Sequence, residues 1–157
     1  MTARHVALGG DPIKHACSIV SEDCIELEPN MVFEIEMRPS LAKDFALYSV
    51  KRIPKGAVPT TISDEDPYIG DPVWVSGMPF GRHPWVSGGN IGWIFGENPN
   101  SILGVHSFAA PGSSGGGVFD RDGRLIGITV AIPFDPLLGP QVNQVLAVPI
   151  KNLWFLN

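Results

Sequence analysis

Two serines lie inside a run of glycines, in Ala110-Pro111-Gly112-Ser113-Ser114-Gly115-Gly116-Gly117-Val118-Phe119. Glycine allows backbone conformations closed to other residues and lets a second strand approach closely. A serine on such a turn can present its hydroxyl while backbone N–H groups on either side point at one spot. That is the geometry an oxyanion hole needs. The same string also suits a plain Gly/Ser surface loop, so the reading depends on what else the chain can bring to it.

Nucleophilic serine chemistry requires a base to take the hydroxyl proton and an acid to hold the base. His5, in Met1-Thr2-Ala3-Arg4-His5-Val6, is the candidate base, because an imidazole reaches both protonation states near neutral pH. Asp44, in Lys43-Asp44-Phe45-Ala46-Leu47-Tyr48, is the candidate acid, placed just before an apolar run where it can be buried and still reach an imidazole. Taken singly, a histidine near a terminus is most often solvated and an aspartate before a strand is most often a turn residue. The three together carry the argument.

The elements that must hold these groups are short strands. Cys24 to Leu27, Val32 to Met37, Phe45 to Val50, Val73 to Ser76, Gly92 to Phe95, Ile102 to His106, Gly117 to Phe119, Leu125 to Ile132 and Val145 to Val148 are apolar or alternating runs. Turn signals separate them, the strongest being Asp122-Gly123 between two apolar strands. Residues 55–72, crowded with Pro, Asp and Thr, read as a linker between two β halves. Only the tail, about Ile150 to Leu156, reads as a short helix. With 18 Gly and 15 Pro among 157 residues, the chain is expected to be all-β.

Composition narrows the partners. A formal net charge of −5 argues against nucleic acid or an anionic membrane surface. No apolar run approaches the roughly 20 residues that span a bilayer. Met1 to His5 lacks the pattern of a signal peptide, and the compartment stays open. Cys17 and Cys24 are too few for a disulfide framework. A pair across a hairpin and two separate thiols both remain open. No Cys/His cluster has zinc-ligand spacing, so neither a metal nor another cofactor is expected.

On these residues the chain resembles the trypsin-like (chymotrypsin-fold) serine peptidases, and within them the HtrA/Deg-type branch. Thr2-Ala3-Arg4-His5-Val6 is similar to the family's histidine segment, Asp44-Phe45-Ala46-Leu47 to its aspartate segment, and Pro111-Gly112-Ser113-Ser114-Gly115-Gly116 to its nucleophile loop. The order His, Asp, Ser agrees. Gly70-Asp71-Pro72-Val73-Trp74-Val75-Ser76-Gly77-Met78-Pro79-Phe80-Gly81 resembles the strand and turn opening the second barrel, and Val86-Ser87-Gly88-Gly89-Asn90-Ile91-Gly92 the strand after it. Asp122-Gly123-Arg124-Leu125-Ile126-Gly127-Ile128 resembles the hairpin after the nucleophile, and Leu146-Ala147-Val148-Pro149-Ile150 the last strand before a C-terminal helix. The resemblance spans nearly the whole chain and is weakest from Asp11 to Pro39.

It implies two packed antiparallel β-barrels with a cleft between them. Residues 1–57 would form part of the first barrel, 58–72 the connection and 73–157 the second barrel. Ser114 would attack a peptide carbonyl, His5 would move the proton and Asp44 would fix its tautomer. The backbone N–H groups of Gly112 and Ser114 would hold the oxyanion. Ser113 is the rival nucleophile, but register with the two following glycines favours Ser114. The substrate pocket would be lined by Phe108 and by Thr129, Val130, Ala131 and Ile132. No acid stands at the Phe108 position, so a basic P1 residue is not expected. Phe108 either fills part of that pocket, favouring a small or medium aliphatic P1 residue, or packs in the barrel core. Thr129 with His106 would instead make a polar pocket. Proteins or peptides are the implied partners, and homo-oligomerisation stays open.

Two departures stand out. Only four residues precede His5, where the family has two strands and most of a third, so the first barrel is expected to be incomplete. A fragment, strands supplied by a partner, and an inactive binding or scaffold relative are the competing explanations. No PDZ-like stretch follows the last strand, so regulation by such a module is not expected.

Overall fold

The computed structural model describes residues 2–3, 6, 13–18, 20–32, 44–97 and 100–155, with side chains for all but 28–32 and 153–155. Eleven strands are present among them: β1 (His15–Cys17), β2 (Cys24–Val32), β3 (Ala46–Val50), β4 (Pro72–Gly77), β5 (Trp85–Phe95), β6 (Ile102–His106), β7 (Gly117–Phe119), β8 (Leu125–Ala131), β9 (Phe134–Asp135), β10 (Gly139–Pro140) and β11 (Gln144–Pro149). The tail forms a 3-10 helix, Ile150–Phe155. The all-β expectation holds.

Six strands close into a barrel in the order β11-β6-β5-β4-β7-β8. Closure follows from the residue pattern. Val73 and Val75, Leu103 and Val105, and Val145 and Ala147 alternate along their strands and point to one shared core. Ile91, Val118 and Ile126 complete it. Asp120-Arg121-Asp122-Gly123-Arg124 turns the chain between β7 and β8 as expected. Asp120 Oδ1 accepts the Asp122 and Arg124 N–H groups at 2.9 and 2.8 Å, and Gly123 takes φ +77°.

Two strands are longer than their side-chain pattern implies. Cys24 to Leu27 continues to Val32, and β5 runs from Trp85 to Phe95, joining the Gly92 to Phe95 run to the Val86 to Gly92 segment that the resemblance gave as a strand. Residues 33–37 of the Val32 to Met37 run lie outside the described residues. The 55–72 stretch is strapped to the barrel, since Leu125 N–H donates to Thr61 O at 2.8 Å and Ser63 N–H to Leu125 O at 3.0 Å.

Outside the barrel, β9 and β10 form a two-stranded ribbon, and a further sheet has three strands in the order β1-β2-β3. Cys17 and Cys24 face each other across β1 and β2 and form a disulfide, which resolves the alternatives the sequence left open. Beside it, Asp23 accepts from the Arg52 guanidinium at 2.8 Å and from the Lys55 backbone N–H at 2.7 Å. These bonds, Arg52 first, hold its carboxyl far below its ordinary value of 3.8. A depressed folded-state value stabilises the native state above the ordinary value, and that contribution is lost as pH falls below it. Asp23→Asn is therefore expected to lower the urea midpoint at pH 7. The gap to the parent should close as pH drops from about 4 toward 2. A gap that stays constant over that window would contradict this reading.

Candidate active site

Three chain segments meet around Thr2. Its backbone pairs with Ala46, N–H to O at 3.0 Å and the reverse at 2.8 Å. Its hydroxyl also lies against the Gly112–Gly117 loop, where a Cβ on Gly115 would sit 2.2 Å from Thr2 Oγ1. Ala3 and Phe45 are buried together with Ile102, Val130 and Val148, a cluster that joins the aspartate segment to the barrel wall. The stretch leading into His5, the stretch after Asp44 and the loop after Ser114 are thus in one place. His5 itself lies outside the described residues. Asp44 is buried, 8% exposed.

Hydrogen bonds to β8 fix the loop. Gly115 N–H donates to Thr129 O, and Thr129 N–H donates to Gly116 O, both at 2.8 Å. The close approach explains the glycines, since a Cβ on Gly116 would stand 1.9 Å from Ser76 O. Ser113 and Ser114 then diverge. Ser113 is buried, and its Oγ accepts the Ala110 N–H at 3.3 Å. Ser114 is half-buried, and among the described residues its Oγ makes one long bond, to Val130 O at 3.4 Å.

The peptide linking Pro111 to Gly112 is held from behind. Phe80 N–H donates to Pro111 O at 2.7 Å. Carbonyl and N–H oppose each other across a trans peptide, so the Gly112 N–H faces the other way. Gly112 has φ +98°, and a Cβ there would stand 2.7 Å from Met78 O, which excludes other residues. Phe80 itself is left-handed at φ 57°, unusual for a bulky side chain. Among the described residues, the N–H groups of Gly112 and Ser114 donate to nothing. Two unspent donors flanking a hydroxyl can stabilise an oxygen that gains negative charge.

The expected pocket residues separate. Phe108 is 40% exposed, so it does not pack in the barrel core. Its ring tilts against Trp85 with centroids 5.6 Å apart. It lines an open cleft of about 570 Å³ with His106, Ser107, Val142, Asn143 and Gln144. Thr129 and Val130 are buried, while Ala131 and Ile132 are half-buried. Thr129 Oγ1 is buried with no hydrogen-bond partner among the described residues. Sequence reasoning missed the turn at Pro79–Gly81 as part of this site. Its signal was the Pro-Phe-Gly triplet, whose left-handed Phe80 is not readable from propensity.

The fold has known counterparts. Rv3671c protease from M. tuberculosis in its active form aligns with a TM-score of 0.72 and 17% identity over 98% of this chain and 65% of that one. Its inactive form aligns at 0.69 with 16% identity, over 98% and 74%. The HtrA-type protease AlgW, solved with a decapeptide, aligns at 0.70 with 25% identity, over 96% of this chain and 44% of AlgW. The chain thus spans less than half of AlgW and about two thirds of active Rv3671c. No curated protein sequence is similar to it. Residues 1–128 match the trypsin-like peptidase domain. A β-barrel whose serine loop sits beside the aspartate segment agrees with that match, and the chain belongs to the trypsin-like peptidase family.

Proposed function

We propose that the chain is the peptidase domain of a serine endopeptidase acting through Ser114, His5 and Asp44. The observation that carries this is the pair of unspent N–H donors, Gly112 and Ser114, beside the weakly held Ser114 hydroxyl. In this reading Ser114 Oγ attacks the scissile carbonyl and forms an acyl-enzyme. His5 takes the hydroxyl proton and returns it to the leaving amine, and Asp44 orients the imidazole. Residues 1–57, 58–72 and 73–157 act as first-barrel part, connection and second barrel. Phe108 and the strand from Thr129 to Ile132 border the P1 side chain, and the apolar ring favours a small or medium aliphatic residue. AlgW is solved with a decapeptide, and peptides or unfolded protein segments are the substrate class proposed here.

A fluorophosphonate probe tests the reading, because an activated serine displaces fluoride and keeps the phosphonyl group. We expect one adduct, on the tryptic peptide holding Ser114, with labelling slowed by roughly 10²-fold or more in His5→Ala. A folded sample that takes no label would overturn the enzyme reading in favour of a binding protein on the same fold.

A further inference from the structure

The far end of the barrel holds a second cavity. It measures about 250 Å³, and Ile94, Leu103, Ile126, Pro149 and Ile150 line it. Its place in the fold separates it from Ser114. Ile126 stands near the start of β8, whereas the Val130 carbonyl that meets Ser114 Oγ lies four residues on, about 13 Å along an extended strand. The cavity shares no lining residue with the Phe108 cleft.

Its walls are firmly built. Asn152, 1% exposed, donates from Nδ2 to Ser101 O at 2.9 Å and accepts from Ser101 Oγ at 3.1 Å. This pair clamps the 3-10 helix to the start of β6, so the apolar lining does not depend on a loose tail.

The rim is acidic. Glu65, Asp66 and Glu97 stand around the opening with one cation, Lys151. Lys151 Nζ pairs with Asp66 at 2.9 Å, and Arg124 reaches Glu65 at 3.7 Å. Glu97 makes no ion pair among the described residues. An apolar cavity with a surplus carboxylate at its lip complements an apolar group that carries a positive charge beside it. The volume suits one or two aliphatic side chains rather than a large ligand.

We propose that this mouth of the barrel is a peptide-binding site, distinct from the cleft, that takes an aliphatic side chain with a neighbouring lysine or arginine from a partner protein. The aliphatic group fills the space over Leu103 and Ile126, and the cation meets Glu97.

The test uses methyl-labelled Ser114→Ala protein, so that no peptide is cleaved, and three capped tetrapeptides: Leu-Lys-Leu-Lys, Leu-Glu-Leu-Glu and Ser-Lys-Ser-Lys. The first should shift and saturate the methyl signals of Ile94, Leu103, Ile126 and Ile150, while the other two should not. Glu97→Gln should weaken binding about threefold and Glu97→Lys about tenfold, as for an exposed charge pair. Equal binding of the acidic peptide, an unchanged affinity in Glu97→Lys, no shift with any peptide, or shifts confined to the methyl groups of residues 129–132 would each overturn the proposal. The readout does not involve catalysis, so it stands or falls apart from the peptidase reading.

Discussion

Replacing Ser114 by alanine is expected to lower kcat on a peptide substrate by a factor on the order of 10⁴ or more. The thermal midpoint should stay within about 3 °C of the parent, because one weak hydrogen bond is lost. Among the described residues Ser114 Oγ holds only the Val130 carbonyl, at 3.4 Å, so its hydroxyl contributes little to the fold. Ser113→Ala should behave in the opposite way. It removes the oxygen that accepts the Ala110 N–H at 3.3 Å in a buried setting. Stranding a buried N–H costs about 2 kcal/mol, or roughly 4–8 °C here. Its kcat should fall by about tenfold at most, since the Ser114 hydroxyl and its flanking donors remain. Parallel melting curves and progress curves on the two variants separate nucleophile from scaffold. A Ser113→Ala variant as inactive as Ser114→Ala, yet fully stable, would reverse the assignment.

Gly116→Ala is expected to be the most damaging single methyl group in the loop. The added carbon would stand 1.9 Å from Ser76 O, with Ser76 C at 2.9 Å and Ser113 O at 3.0 Å. All three are backbone atoms, so no rotamer change relieves the clash. The loop cannot retreat either, because Gly116 O is tied to Thr129 N–H at 2.8 Å and Gly116 N–H to Ser113 O at 3.0 Å. A forced backbone shift of this kind costs about 3 kcal/mol, near the upper end of overpacking penalties. The melting temperature should drop by roughly 6–12 °C and activity should fall with it. Gly123→Ala is the control: nothing lies within 4 Å of its added carbon. It loses only the left-handed preference of glycine, about 1 kcal/mol. Differential scanning calorimetry of the pair checks the difference, and equal losses would mean that the loop can yield.

The sequence made the barrel legible where side-chain period and packing agree. Val73 and Val75, or Val145 and Ala147, alternate strictly and face one core, so their strands were readable in place. Gly-rich β5 was not: Gly88, Gly89 and Gly92 carry no side chain to mark a period, and the strand looked shorter than its eleven residues. The β1 and β9/β10 pairs are too short to leave a pattern. For the site, the types and order of Asp44 and Ser114 were enough to nominate them. What no linear pattern holds is the hydrogen bond from Phe80 N–H to Pro111 O, because it joins two turns 31 residues apart through backbone atoms alone. The apolar mouth with its acidic lip was equally hidden, as its lining comes from four strands, the 3-10 helix and a connecting stretch.

The closed order of the barrel divides the labour of the proposed reaction. Every strand in a closed ring has two neighbours, so none can peel away alone. The Ser114 loop is tied to β8 in that ring and its Gly112 peptide to the turn after β4, whereas among the described residues Asp44 leads into a three-stranded sheet that does not close. An object pressing on that sheet would disturb the handling of the proton while leaving the seat for the carbonyl oxygen intact. The design resembles an instrument with a rigid bed and an adjustable stylus, whose calibration lies in the stylus.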